Sequence, residues 1–468
     1  MKLRLTLAAT SAVLALSSVA AAQQPWLQDR RYGEGIGLRT GNFEFHPSLS
    51  AEFGYDSNYF QRAGTGPNPG LDNPVEDAFR LRVTPSLTLS TLTERRLGSQ
   101  SVKAEQDFTM QASAYASYNE LFGSQAVSDQ RHVDAGVGLH ADIAPHRQFG
   151  GDVYGDFVRQ GEPSNLADTT QAFDRGTVRG GAGLSWRPGG GLFDWRLGYE
   201  AAYNYFEDDA YTDLDNVQQS VLTRGRWRFL PRSALLYDAR YTMTRYTHTS
   251  PQPDGDDVQA RVGFSGLVTT RLAVLGLIGW NSSFYEENGT STPADDYDGF
   301  VAQAELKYFL QSTANSDSAT VGVSSISVGY IRDFSNSYLG AFYIRDRGYM
   351  GLSYFLGGVF VASLDGGFSH YSYPRISQTQ GAFEQSRIDA RLFGEYRFSD
   401  IVGLNATIMY DQAIGPDNPI ETDPGQPGVD ANGDGDTTDP GDTAAVAATR
   451  DDLEYKRFQA FIGMRVFW

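Results

Sequence analysis

The sequence predicts an all-β transmembrane barrel of about 18 antiparallel strands with both termini in the periplasm. Three observations support this fold class: the pattern of the last strand, an export signal at the amino-terminus, and side-chain alternation with a period of two along most of the chain. The predicted location is the outer membrane of a Gram-negative cell.

The carboxy-terminal stretch 455–468 alternates apolar and polar side chains up to the last residue. Even-numbered residues from Phe458 to Trp468 are apolar and share one face of an extended strand, whereas Arg457 and Arg465 lie on the other. An apolar outer face ending on an aromatic residue is typical of outer-membrane barrels. We interpret four residues as the barrel-closing signal that the barrel-insertion machinery recognises: Ile462, Met464, Val466 and Trp468.

The amino-terminus has the pattern of a secretory signal. Lys2 and Arg4 precede an apolar run that closes with three alanines at 20–22, so residues 1–22 are predicted to be a signal peptide. No later segment approaches the roughly 20 apolar residues that a spanning helix requires. Export therefore leads to a mature chain that crosses the membrane with strands.

Composition narrows the class of protein further. Aromatic residues make up 13% of the chain, glycine supplies 51 of 468 residues and cysteine is absent. Abundant aromatics and glycine in an exported chain favour a membrane barrel, and the lack of cysteine excludes disulfides and thiol catalysis. A net charge of -19 opposes nucleic-acid binding, so no nucleic-acid partner is expected.

Alternation divides residues 43–468 into the predicted strands, after a periplasmic lead-in at 23–42. In the first segment, Phe45 and Phe53 face one way and Glu44 and Glu52 the other. Odd-numbered connections are predicted to be long and even-numbered ones short, as expected for a barrel that starts in the periplasm. The segments lie near 43–55, 78–90, 101–117, 130–143, 150–159, 175–186, 192–205, 216–229, 234–246, 256–268, 271–284, 299–310, 319–333, 340–355, 359–372, 385–398, 402–413 and 453–468.

The predicted inward face carries many charges, which indicates a hydrated lumen because a midplane arginine facing lipid costs about 2–4 kcal/mol. We favour the interpretation that these charges pair across strands. The alternative is that the ladder Arg224, Arg226 and Arg228 attracts anions or an anionic polymer. The lumen-lining candidates are Arg224, Arg226, Arg228, Asp238, Arg240, Arg387, Asp389, Arg391, Glu395 and Arg397.

The predicted extracellular loop 414–451 contains an aspartate-rich motif. Oxygen ligands at alternate positions with glycines between them can wrap a hard cation such as calcium. A solvated acidic loop is an equally weighted interpretation. The candidate calcium ligands are Asp430, Asn432, Asp434, Asp436 and Asp439, and we expect no other cofactor.

The sequence gives little support to catalysis, and we expect the protein not to be an enzyme. Six histidines are present, but neither a Gly-x-Ser-x-Gly elbow nor a His-Glu-x-x-His pair occurs. An exterior-facing acyl hydrolase is the remaining alternative. It would require a histidine within hydrogen-bond reach of a hydroxyl group, with an acid beside it, at the rim of the barrel.

The stretch 45–60, with Tyr55, Asp56 and Asn58 at its end, and the following Val83-Thr84-Pro85-Ser86-Leu87 resemble the opening of the β-barrel porin-2 family. The resemblance is clearest over residues 43–90. It implies an outer-membrane barrel associated with exopolysaccharide export, working with a periplasmic polysaccharide-export protein. From the residues themselves, Asp56 and Asn58 are predicted to close a side-chain-to-backbone turn at the outer rim.

The function that we expect is therefore passive export of an exopolysaccharide through the barrel. The alternative is a general or weakly selective diffusion porin, which predicts an inward-folded loop and segregated acidic and basic walls. An outer-membrane enzyme ranks third. The expected surroundings are outer-membrane lipid and lipopolysaccharide.

Overall fold

The computed structural model describes residues 37–63, 75–91, 107–161, 174–207, 209–248, 250, 252–286, 295–310, 324–337, 341–356, 359–374, 381–399, 401–415, 420–423, 449–451 and 454–468. Eighteen long strands build one wall. They are β1 Phe43–Asp56, β2 Ala78–Thr91, β3 Phe108–Gly123, β4 His132–Ile143, β5 Phe149–Gln160, β6 Arg175–Trp186, β7 Phe193–Phe206, β8 Asn216–Leu230, β9 Ser233–Tyr246, β10 Gly255–Leu267, β11 Leu272–Tyr285, β12 Tyr297–Phe309, β13 Ser325–Asn336, β14 Phe342–Leu356, β15 Phe360–Tyr373, β16 Phe383–Arg397, β17 Val402–Ile414 and β18 Tyr455–Phe467.

Each strand pairs antiparallel with its neighbours in sequence, and the first and last strands close the wall. β1 and β18 pair from Ser48 opposite Phe467 to Asp56 opposite Gln459. At the end of the chain the Trp468 backbone N–H donates to the Pro47 carbonyl at 3.0 Å. The predicted fold class, an antiparallel barrel of about 18 strands, is confirmed.

Two predicted segments were misplaced. The third strand runs over Phe108–Gly123 rather than 101–117, and the thirteenth over Ser325–Asn336 rather than 319–333. In the third strand, Asn119 and Glu120 look like the start of a loop in the sequence, but Asn119 faces inward and Glu120 accepts a hydrogen bond from the Tyr118 hydroxyl. The connections 92–107 and 310–324 are consequently long, against the predicted alternation of lengths.

Apolar side chains form a band around the outward face of the wall. Ile462, Met464 and Trp468 are about half exposed there, at 56%, 52% and 48%. Large aromatics concentrate near both strand ends, for example Phe149 with Trp186 at one end and Phe53 stacked on Phe79 at the other. An apolar band between two aromatic girdles matches a bilayer with its interfaces, so the chain is an outer-membrane barrel.

Short elements accompany the barrel. The strand Leu38–Thr40 pairs with Phe43–Phe45 of β1, on the edge that β18 leaves unpaired after the chain ends. A one-turn helix, α1 Gln125–Ser128, follows β3; 3-10 turns occupy Pro188–Gly190 and Asp209–Leu214; and Ile420–Asp423 pairs with Thr449–Asp451. Within the described ranges, no helix has the length and apolar character to span a bilayer. The predicted signal peptide, 1–22, lies outside the described residues.

Candidate functional site

The charged inner wall is the candidate site, and several of the predicted lumen residues form ion pairs along it. The strand register places two of the predicted residues opposite a carboxylate: Arg224 stands opposite Asp238, and Arg391 stands opposite Asp365. The pairs are Arg226 with Asp194 at 3.2 Å, Arg240 with Glu200 at 3.8 Å, Asp238 with Arg261 at 2.9 Å, Asp389 with Arg347 at 2.5 Å, Arg397 with Glu395 at 2.9 Å, and Arg387 with Asp411 and Glu395 with Arg465, both in close contact.

The seam between β1 and β18 carries a continuous inward stack of charges and rings. Arg80 lies over the Phe461 ring at 4.6 Å, and Arg82 lies over the same ring at 5.7 Å while it pairs with Glu52. Farther along, Arg465 lies over Phe467 at 4.4 Å. Cation–π contacts of this kind gain strength when both partners are desolvated, and Arg80 and Arg465 are each only 1% exposed.

Arginines are in excess at the end of the lumen that carries the chain termini. Arg226 and the turn residue Arg187 both face Asp194, at 3.2 and 3.7 Å. Arg228 follows in β8, and its backbone N–H donates to the Leu192 carbonyl at 2.8 Å. Arg224 stands opposite Arg196, which pairs with Asp152. Together with Asp238, which stands opposite Arg224, and its partner Arg261, six guanidinium groups outnumber three carboxylates here, which makes this part of the lumen basic.

At several positions an aromatic ring lies flat against the wall, over a glycine that stands opposite it on the neighbouring strand. A methyl group at Gly181 would lie 2.5 Å from the Tyr154 ring, and one at Gly54 would lie 1.9 Å from Phe461. Only glycine permits such an approach. The same arrangement joins five more pairs: Tyr115–Gly136, Tyr205–Gly176, Tyr237–Gly225, Tyr285–Gly255 and Tyr349–Gly329.

The tip of the β13–β14 hairpin leans into one mouth of the barrel. The β12–β13 ladder ends at Ala302 opposite Arg332, although β13 continues to Asn336. The Asn336 amide accepts a hydrogen bond from the Tyr285 hydroxyl at 2.8 Å and donates to Thr244 on β9 at 3.3 Å. Since β9 and β13 are four strands apart in the wall, about 19 Å at the usual strand spacing, this contact requires the tip to cross the interior.

Packing of aromatic rings holds this tip in place. Phe334 stacks on Tyr297 with ring centres 4.6 Å apart, and Phe342 lies 5.2 Å from Tyr297. Ser337 and Ala341 at the hairpin end are buried. The hairpin therefore narrows the mouth opposite the one that carries the chain termini.

Polar side chains link neighbouring strands at the outer rim. Arg159 binds Glu207 and Asp174, each at 2.6 Å. Its hydrogen bond lowers the pKa of Glu207, whereas burial raises the pKa of Asp174. At the end of β1, on the same rim, Asp56 accepts from the Asn58 N–H at 3.1 Å, which is the turn that the sequence predicts.

The predicted calcium ligands fall in a part of the chain that the structure does not describe. Asp430, Asn432, Asp434, Asp436 and Asp439 all lie between the described segments 420–423 and 449–451. Within the described segments, no group of three or more His, Asp or Glu side chains is arranged to hold a metal. Calcium binding stays a prediction.

One histidine meets part of the stated requirement for an enzyme. On the outward face near the rim, His370 Nδ1 lies 3.3 Å from the Ser386 hydroxyl, and its Nε2 lies 3.6 Å from Glu384. In a hydrolytic triad the acid fixes the histidine through a hydrogen bond. Glu384 is 71% exposed and too distant for such a bond, so the arrangement lacks the element that orients a general base.

Sequence reasoning missed the inward aromatics and the hairpin. Phe461, Phe467 and Tyr349 were not among the predicted lumen residues, although alternation places Phe461 and Phe467 on the same face as Arg457 and Arg465. Glycine opposite tyrosine was the available signal, but it appears only after neighbouring strands are aligned.

The chain is similar to several solved structures at low sequence identity. It is similar to OpdK from Pseudomonas aeruginosa with vanillate (TM-score 0.46, 8% identity, covering 91% of this chain and 99% of that one). It is also similar to OccK5 (OpdH) from Pseudomonas aeruginosa (TM-score 0.43, 10% identity, 91% and 98%) and the FrpB iron transporter from Neisseria meningitidis (TM-score 0.43, 8% identity, 92% and 82%). No family model and no curated protein matches the chain.

The wall, its two faces and its width define the class of protein. Barrels of 16–18 strands leave an aqueous channel, whereas eight strands are filled by side chains. The chain is therefore an outer-membrane β-barrel channel protein, with an apolar exterior and an ionic interior.

Proposed function

We propose that this channel exports an exopolysaccharide, and specifically an anionic one, across the outer membrane. The observation that carries the proposal is the arginine ladder Arg224, Arg226 and Arg228 at the end of the lumen that holds the chain termini. A basic entrance attracts a polyanion. Farther along the lumen most charges are paired, so few fixed charges remain that would hold the polymer back.

The same placement of the arginines supports a direction of transport and a partner. If the termini face the periplasm, a polymer delivered from that side meets the basic end first. A periplasmic polysaccharide-export protein would hand the polymer over there, as the porin-2 resemblance implies. The three arginines then capture the end of the polymer, and the wall beyond them lets the polymer pass.

A gene deletion complemented with variants tests this proposal. Deletion should abolish surface polysaccharide while leaving small-solute uptake nearly unchanged. Complementation with the triple variant Arg224→Gln, Arg226→Gln and Arg228→Gln should restore a folded barrel in the outer membrane but only part of the surface polysaccharide. Arg391→Gln, an inward arginine on β16, eight strands from the ladder, is the matched control and should restore export fully. Normal polysaccharide in the deletion strain would refute the proposal.

A diffusion porin is the second candidate, and the inward hairpin favours it. The Asn336 contacts narrow one mouth, as a solute-sorting constriction would. The ion pairs, however, place both signs of charge side by side instead of on opposite walls. A deletion that mainly lowers small-solute permeability would select this candidate.

A further inference from the structure

Two inward tyrosines follow the same pattern over three strands. Tyr154 on β5 lies across Gly181 on β6, and its hydroxyl donates to Glu200 on β7 at 2.5 Å. On the other side of the barrel, Tyr349 on β14 lies across Gly329 on β13 and donates to Glu305 on β12 at 2.7 Å. Each ring is thus supported beneath by a glycine and held at its tip by a carboxylate.

The two tyrosines stand opposite each other at half height. β5 and β14 are nine strands apart in a closed wall of eighteen, which is half of the circumference. Tyr154 lies near the middle of Phe149–Gln160, and Tyr349 near the middle of Phe342–Leu356. A polymer on the barrel axis would therefore have one ring on each side at the same level.

The flat orientation leaves one ring face open to the lumen. A methyl group at Gly329 would lie 2.3 Å from the Tyr349 ring, so glycine is what lets the ring rest on the wall. Both side chains are half-buried, and each ring lies against the glycine opposite it. Because each hydroxyl is tied to a glutamate, little conformational freedom remains to be lost when a ligand stacks on the ring.

Polar groups beside each ring suit hydroxyl-rich ligands. Arg179 stands opposite Asp156, two residues from Tyr154, and pairs with it at 2.9 Å. Arg347, paired with Asp389 at 2.5 Å, lies two residues from Tyr349. An apolar ring face with charged hydrogen-bonding groups at its edge matches a sugar ring, which has apolar C–H faces and hydroxyls around its rim.

We infer that Tyr154 and Tyr349 form a pair of carbohydrate-binding subsites, each stacking on one sugar unit of a polymer in transit. The inference rests on the proposed function for the source of the polymer, but the binding itself is a property of the isolated channel. In this arrangement Glu200 and Glu305 are positioning residues, since each acts through the tyrosine whose hydroxyl it binds.

Ion current through the purified full-length protein in a planar lipid bilayer tests the subsites. A neutral linear hexasaccharide should interrupt the current. Tyr154→Leu and Tyr349→Leu should each shorten the interruptions about tenfold, which corresponds to about 1.4 kcal/mol. Tyr349→Phe, which keeps the ring but loses its tether, should have an intermediate effect. Polyethylene glycol of similar size should pass without long interruptions.

A matched control separates binding from wall structure. Tyr237 lies over Gly225 in the same way, but on the lipid-facing side of the wall, and Tyr237→Leu removes its ring. It should leave the interruptions unchanged. Open channels that the hexasaccharide does not interrupt, or equal interruption times in all variants, would overturn the inference. Tyrosine-dependent interruption together with normal surface polysaccharide in the deletion strain would instead refute export alone.

Discussion

Asp56 on the first strand and Arg457 on the last form a buried ion pair across the seam that closes the barrel. The Arg457 guanidinium donates from Nε at 3.0 Å and from Nη2 at 2.5 Å. The two side chains are 2% and 3% exposed. They are 401 positions apart in sequence, so the pair forms only when the wall closes.

Removing one partner of this pair should destabilise the barrel. Asp56→Asn leaves the guanidinium buried without its carboxylate, and such a loss typically costs about 3–5 kcal/mol. Urea unfolding in lipid vesicles, followed by tryptophan fluorescence, measures the change. The control is Asp107→Asn, which breaks an exposed pair with Arg147 and should cost less than about 1 kcal/mol. Equal losses in both variants would contradict a special role for the seam.

Gly54 should be required for closure of the same seam. In Gly54→Ala the new methyl would lie 1.9 Å from the Phe461 ring and displace the ring that carries Arg80 and Arg82. We expect a smaller folded fraction, seen as loss of the heat-modifiable band on electrophoresis.

Gly394→Ala is the comparison for this variant, because nothing lies within 4 Å of a methyl group there. It should fold like the wild type. Adding Phe461→Leu to Gly54→Ala should recover part of the folded fraction, and failure to recover any would show that the clash with the ring is not the cause.

The β13–β14 hairpin should limit the conductance of the channel. Asn336→Ala removes the hydrogen bonds to Tyr285 and Thr244, so the tip can move away from the interior. Single-channel conductance should rise measurably. Ser353→Ala, near the other end of the same hairpin, should leave conductance unchanged. A fall, or no difference between the variants, would mean that the tip does not constrict the mouth.

Ser386 should be chemically inert. Glu384 lies too far from His370 to orient it, so the serine gains no activated proton acceptor. The purified protein should not react with a fluorophosphonate probe that labels nucleophilic serines. Labelling that disappears in Ser386→Ala would establish an outer-membrane hydrolase instead.

The sequence predicted the strands of the wall well, because the alternation of lipid-facing and water-facing side chains depends only on residues within one strand. Ile462 and Arg465 have opposite faces on any extended strand, whatever surrounds them. The strand ends were harder to place, since polar residues at the rim, such as Asn119, continue a strand and begin a loop equally well.

The interior was predicted less completely because its geometry is set between strands. Arg226 and Asp194 lie on neighbouring strands, but their pairing depends on the register, as does the position of Tyr154 over Gly181. The inward tilt of the hairpin at Asn336 depends on contacts with Thr244, four strands away, and no local pattern encodes it.

Labelling of single cysteines tests the closed, water-filled barrel most directly, because the native chain has no cysteine. Ser113 is exposed on the inward face of β3, between the outward-facing Ala112 and Ala114. In lipid vesicles, a membrane-impermeant maleimide should label Ser113→Cys and leave Ala112→Cys and Ala114→Cys unlabelled, because a thiol in hydrocarbon stays protonated and out of reach of the reagent. Equal labelling of the three positions by the impermeant reagent would contradict the account.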